Sequence, residues 1–242
     1  MAALAYLLLA SDLPAATPQP FSPVRENVGP STDRSPVDVE VAGSTSLWPQ
    51  FHRLEPERVL RLRLERAYVS WMFAKKDPGF EILILDIDTE TGLPAELIIA
   101  NAMFHKNIPG VPEIAFADIS PRKLMMTIQS DTSEAQLVSR SSLIGKCRRA
   151  DLGSGLFSSK ERIGEECRDP KFPRFSYYAA SYMGLWLEVN CEEENRIKKL
   201  DCRIMVPFKG FGVRVDFYHG RLAKWREVVD SAVEFLKSKE YH

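Results

Sequence analysis

The sequence predicts an α+β protein: mainly antiparallel β-structure, in one or two sheets, with an amphipathic helix packed on it at the C-terminus. Three observations lead there. Apolar segments of strand length recur between Arg58 and Tyr218, turns and polar loops separate them, and one strongly two-faced helical segment closes the chain. A doubly wound fold would instead alternate strand and helix.

Residues 58–64, RVLRLRL, place Leu60, Leu62 and Leu64 on one side and Arg61 and Arg63 on the other, as a half-buried strand requires. Leu60, Leu64, Ala67, Tyr68 and Trp71 also fall at helical spacing, but Val59, Tyr68, Val69, Trp71 and Phe73 favour extended backbone and decide for strand. KKDPG at 75–79 supplies a turn. A second strand follows over 80–87, apolar without a break from Ile82 to Leu85 and therefore interior to a sheet. Further strands are expected over 96–100, 123–129, 185–191, 202–206 and 212–218. In the segment 221–241, Leu222, Trp225, Val229, Ala232, Val233 and Leu236 form one stripe, and Arg226, Glu227, Asp230, Glu234 and Lys237 form the other. Ser133 with Gln136 three residues on reads as a capping box that opens a shorter helix toward Leu143.

The domain plan has three parts. Residues 1–16 carry a nine-residue apolar run from Ala2 to Ala10, the length of a signal-peptide core and too short for a membrane span. A start further upstream would supply the basic end that this run lacks. Residues 17–50 hold six prolines among many Ser, Thr and Gly residues and read as a flexible arm. Residues 51–242 form the globular part, with the polar, glycine-bearing stretch 131–175 as the place where two lobes would join. Thirty-two basic against thirty-three acidic residues give a net charge of -1, so no global field draws the chain to nucleic acid or an anionic membrane.

Residues 81–96, EILILDIDTETGLPAE, resemble the nucleophile strand of a haloacid-dehalogenase-like phosphatase, in which the first Asp attacks phosphorus and the second protonates the leaving group. Glu90 departs from that pattern, the following residues 91–94 make a turn, and no downstream acidic pair for magnesium is evident. The residues favour a strand ending in a solvated rim around Asp86, Asp88 and Glu90. The chain also lacks a Gly-x-Ser-x-Gly elbow, a phosphate loop and a His-Glu-x-x-His motif, and none of His52, His105, His219 and His242 has a sequence-local partner. No catalytic residue and no cofactor is expected.

Cys147, Cys167, Cys191 and Cys202 are even in number and lack the close pairs of a zinc site, so disulfides rather than metal are expected. Three connectivities are open. A Cys191–Cys202 bridge would clamp the base of the loop between two strands, and Cys147–Cys167 would then close the glycine-bearing connection. Such bonds persist in an oxidising compartment.

VLRLRLERAYVSW (59–71), followed by an apolar strand, and GFGVRVDFYHGRLAKWREVVDSAVEFLKS (210–238), preceded by a cysteine, resemble small exported proteobacterial proteins. Among these are immunity proteins that neutralise type VI secretion effectors, lipases in particular. The resemblance implies a periplasmic protein that binds a toxic enzyme and occludes its active site. Glu192, Glu193 and Glu194 with Arg196, on the loop the disulfide would clamp, are the expected partner contacts. A structural component of the cell envelope and a hydrolase with a dispersed site are the alternatives.

Overall fold

The computed structural model describes residues 19–24, 27–44, 54–74, 81–169, 175–192 and 202–242; the expected signal at 1–16 and turn at 75–79 lie outside them. The chain runs β1 (Pro36–Ser44), β2 (Leu54–Glu65), a 3-10 turn (Arg66–Tyr68), β3 (Val69–Ala74), β4 (Glu81–Asp88), α1 (Ala95–Phe104), α2 (Phe116–Arg122), β5 (Lys123–Ser133) and α3 (Glu134–Lys146). It continues through β6 (Arg148–Gly153), β7 (Leu156–Ser159), β8 (Glu161–Ile163), β9 (Glu166–Arg168), β10 (Phe175–Tyr182), β11 (Leu185–Glu192), β12 (Cys202–Phe208) and β13 (Phe211–Phe217) to a 3-10 turn (His219–Lys224) and α4 (Trp225–Lys239). Nine strands form one sheet in the order β3-β4-β5-β13-β12-β11-β10-β7-β6, every pairing antiparallel, so the class is α+β. Two-stranded ribbons β1-β2 and β8-β9 complete it.

The core lies between one face of the large sheet and a layer made by the β1-β2 ribbon and α4. Leu60, Leu62 and Leu64 of β2 meet Leu83, Leu85, Met126, Val213 and Val215 of the sheet, and Trp225, Val229, Ala232 and Leu236 of α4 close the same cluster. Full burial of each such aliphatic side chain contributes about 1.5–3 kcal/mol. The arginines on the other side of β2 pair across the ribbon: Asp38 stands opposite Arg63 and Glu40 opposite Arg61, with Nε to carboxylate distances of 2.6 and 2.8 Å.

Within the segment 17–50, Pro36–Ser44 is therefore a core strand, with Val39 and Val41 fully buried. The alternation Val37, Val39, Val41 specifies it, and the surrounding prolines obscure it. A correction falls at 96–100, which is helix rather than strand. The window ELIIA looks β-prone alone, but the alanines, Glu96 and Met103 of Ala95–Phe104 favour helix. In that form Leu97 and Ile98 pack with Ala67, Val111 and Ile119 in a second cluster beside the end of β4. The capping box at Ser133 and Gln136 is formed as written, each side chain meeting the other's backbone N–H.

Candidate partner-binding face

The outer face of the large sheet carries side chains at alternate positions, and two features stand on it. One is apolar. Trp71 lies opposite Ile84 and Phe73 opposite Ile82 across β3 and β4, a four-membered group on the outer face at the sheet's end. These four side chains line a shallow hollow of about 300 Å³, and Trp71 is 54% exposed. Strand β3 is the edge of the sheet, and the N-terminal arm covers part of that edge: Val28 and Met72 exchange backbone hydrogen bonds at 3.1 and 3.0 Å. Such cover blunts pairing of the edge with another chain and leaves the face open.

The second feature is a polar row at one register level. Asp86, Met125, Asp216, Arg203, Asn190 and Tyr177 follow one another across β4, β5, β13, β12, β11 and β10. Asp216 is buried and accepts from Arg214 at 2.7 and 2.6 Å; burial nevertheless pushes its carboxyl up, against the Arg214 guanidinium. Helix α3 crosses the row near Asn190. It sits close because Ser141 Oγ accepts the Trp186 N–H at 2.7 Å and Gly145 lies under the Trp186 ring, where a Cβ would come within 2.6 Å of Cδ1. Burial likewise raises Glu188, with Arg162 opposing.

Both disulfides border this face. Cys191 and Cys202 are directly opposed on β11 and β12, bonded at 2.00 Å with both side chains in the core. Cys147, which caps α3, is bonded at 1.98 Å to Cys167 of β9. The structure thus takes the connectivity that closes the two shorter loops. Ligand atoms of Cys191, Cys202 and His219 lie within 4.8 Å of one another, but a disulfide leaves no thiolate to bind metal.

Glu192 ends β11 on the outer face, half-buried; Glu193, Glu194 and Arg196 lie outside the described residues. The solvated rim expected at Asp86 and Asp88 is corrected: they are 1% and 2% exposed, and only Glu90 faces solvent. Asp86 Oδ2 pairs with Lys123 Nζ at 2.7 Å, while its Oδ1 is buried with no hydrogen-bond partner. Asp88 accepts from Arg122 and from Thr91; burial pushes its carboxyl up, yet these partners hold it below the usual range. A carboxylate held ionised is no proton donor to a leaving group, and Asp86 is shut away from any substrate, so the phosphatase roles fail on geometry. Asp88 instead closes the turn that leads into α1, accepting the Thr91 N–H at 2.8 Å. Sequence reading missed the apolar hollow, whose signal was the outward-facing Trp71 and Phe73 on a strand with Met72 inward.

No family model matches the chain, and no curated protein matches it. Among solved structures it is similar to Smlt3025, an immunity protein of the Stenotrophomonas maltophilia type IV secretion system, with a TM-score of 0.46 and 11% identity over 84% of this chain and 94% of that one. No helix among the described residues is long and apolar enough to cross a membrane.

Proposed function

We propose that the protein is a non-catalytic exported binder, an immunity protein that docks on a secreted toxic enzyme in the periplasm and blocks it. The observation that carries this reading is the outward apolar group Trp71, Ile84, Phe73 and Ile82. Clustered apolar side chains that a monomer leaves in water are characteristic of a protein interface, and aromatic residues dominate the energetic centres of such interfaces. The two disulfides support the reading twice: they belong to an oxidising compartment, and they keep the sheet rigid so that little ordering is left to pay on binding. The loop beginning at Glu192, with Glu193, Glu194 and Arg196, is proposed as a second contact. A lipase is the effector that the sequence resemblance implies; the secretion system that delivers it does not enter the proposal.

The test pairs the purified protein with secreted enzymes encoded by neighbouring genes, lipases first. A one-to-one complex that silences the effector, lost in Trp71→Glu and Ile84→Glu with the thermal midpoint unchanged, is the expected result. Turnover by the protein itself on ester, phosphoester or glycoside substrates, abolished by one side-chain change, would overturn it.

A further inference from the structure

Between α3 and the outer faces of β11, β12 and β13 lies a cavity of about 100 Å³. Leu137 and Ile144, seven residues apart on one face of α3, form its apolar roof. Leu187, Ile204 and Met205 add apolar wall, and the charged lining is Arg140 from α3, Arg162 from β8, Arg203 from β12 and Arg214 from β13, against one carboxylate, Glu188 of β11. We propose that this cavity is a binding site for one oxyanion, a carboxylate or phosphate group, received by the guanidinium groups of Arg162, Arg203 and Arg140.

The state of each arginine supports this. Arg214 is committed to Asp216 in a two-point pair. Arg162 is committed at one end only: Nη1 donates to the Gly164 carbonyl at 2.9 Å, while Nε lies 3.9 Å from Glu188 Oε2, beyond hydrogen-bonding reach, and is buried without a partner. The side chains of Arg203, half-buried, and Arg140, exposed, make no hydrogen bond or ion pair among the described residues. Asn190, level with Arg203 in the row, donates from Nδ2 to Glu188 Oε1 at 3.3 Å, and its Oδ1 is also buried and unpartnered. A shielded donor without an acceptor, as Arg162 Nε is, is costly, and an oxyanion is the ligand that the forked guanidinium geometry suits. The Asn190 oxygen would accept a hydroxyl of a protonated or alcohol-bearing ligand. A volume near 100 Å³ admits one such group and excludes a whole nucleotide.

The crosslinks hold these donors in place. Arg162 stands opposite Cys167 in the β8-β9 ribbon, and Cys167 is tied to Cys147 one turn beyond Ile144 on α3. On the other side, the Asn190–Arg203 pair is one residue from the Cys191–Cys202 bridge. Donors fixed before the ligand arrives lose little entropy on binding.

This site stands apart from the apolar hollow, and its test needs no effector. Inorganic phosphate and, separately, N-acetylglutamate amide are titrated into the disulfide-intact protein by calorimetry, at constant ionic strength with chloride as the control. Saturable one-to-one binding is expected, weakened about tenfold in each of Arg203→Gln and Arg162→Gln as a charge-assisted bond is lost. Glu188→Gln, which removes the competing carboxylate, should tighten binding, an effect that mere support of the fold would not produce. Preference for phosphate marks a free phosphoryl ligand; preference for the amide marks an acidic side chain. Absence of saturation beyond the chloride control, or affinity in the two arginine variants equal to that of the wild type, would overturn the proposal.

Discussion

Arg122 holds Asp88 at two points, Nε to Oδ2 and Nη2 to Oδ1, both at 2.8 Å. The pair closes the end of β4 and sets the path into α1. Asp88→Asn is expected to cost about 2 kcal/mol at neutral pH, since it leaves a mostly buried guanidinium with only the exposed Glu90 carboxylate as its ion-pair partner. The folded carboxyl sits below its usual range, so this stability is present above the ordinary carboxylate value and is lost as pH falls through the lowered one. Urea unfolding of both proteins checks it: their midpoints should differ at pH 7 and converge in acid, once the pH has fallen through the lowered carboxyl value.

Much of the sheet was legible because alternation survives wherever one face is buried. Leu60, Leu62 and Leu64 against Arg61 and Arg63 is the clearest case, and the arginine side turned out to pair with Asp38 and Glu40 of a strand hidden among prolines. The terminal helix was legible from its stripe, and α3 from its cap. Asp86 and Asp88 were not, because burial of a strand end depends on α1 and α2, elements 95–122 that local pattern did not reveal. The arginine-lined cavity was illegible for a related reason. Arg140, Arg162, Arg203 and Arg214 are far apart in sequence, and only sheet register with the Cys147–Cys167 link brings them together.

Tyr182 is buried and donates to Asp230 Oδ1 at 3.0 Å; burial first, then that bond, push its hydroxyl up to about 12. Tyr177, desolvated beside Glu161, is likewise at about 12. Unfolded tyrosines ionise near 10, so the folded state loses stability as pH rises from about 10 to about 12, by roughly 2 kcal/mol for Tyr182. Tyrosinate absorbance should show these two phenols ionising together with alkaline unfolding. Tyr182→Phe should remove about 1 kcal/mol at neutral pH and flatten the alkaline fall.

Arg58 is a buried clamp between the ribbon and the sheet. Its Nη2 donates to the carbonyls of Ser44 and Ser130 at 2.8 and 2.9 Å, its Nη1 to that of Thr132 at 3.1 Å, and its guanidinium lies 4.7 Å from the Phe211 ring centroid. Lysine cannot reach three carbonyls and stack as well, so Arg58→Lys is expected to cost about 3 kcal/mol. Gly43 must stay small for the same clamp, since a Cβ there would meet Arg58 Nε at 2.4 Å. A double-mutant cycle is the check: Gly43→Ala should be costly in the wild type and less costly beside Arg58→Ala, where of the clashing atoms only the Cβ at 2.9 Å remains.

The two crosslinks should separate stability from binding. Their cysteines are 20 and 11 residues apart, and removing either as a Cys→Ser pair is expected to cost about 3 kcal/mol by the chain-entropy account. Their local effects differ. The Cys191–Cys202 bond lies across strands whose backbone ladder also continues through β13, so Arg203 keeps its register without it. Among the described residues strands β8 and β9 pair only with each other, in a ribbon of three residues a side, and the Cys147–Cys167 bond ties that ribbon covalently to the end of α3, beside the Lys160 N–H to Cys147 carbonyl bond at 3.1 Å. Loss of this bond loosens the ribbon that carries Arg162. Oxyanion affinity should therefore fall about tenfold in Cys147→Ser/Cys167→Ser, as in Arg162→Gln, and change by less than about twofold in Cys191→Ser/Cys202→Ser. Limited proteolysis gives the independent readout, with new cleavage within 161–168 in the first variant and protection there in the second.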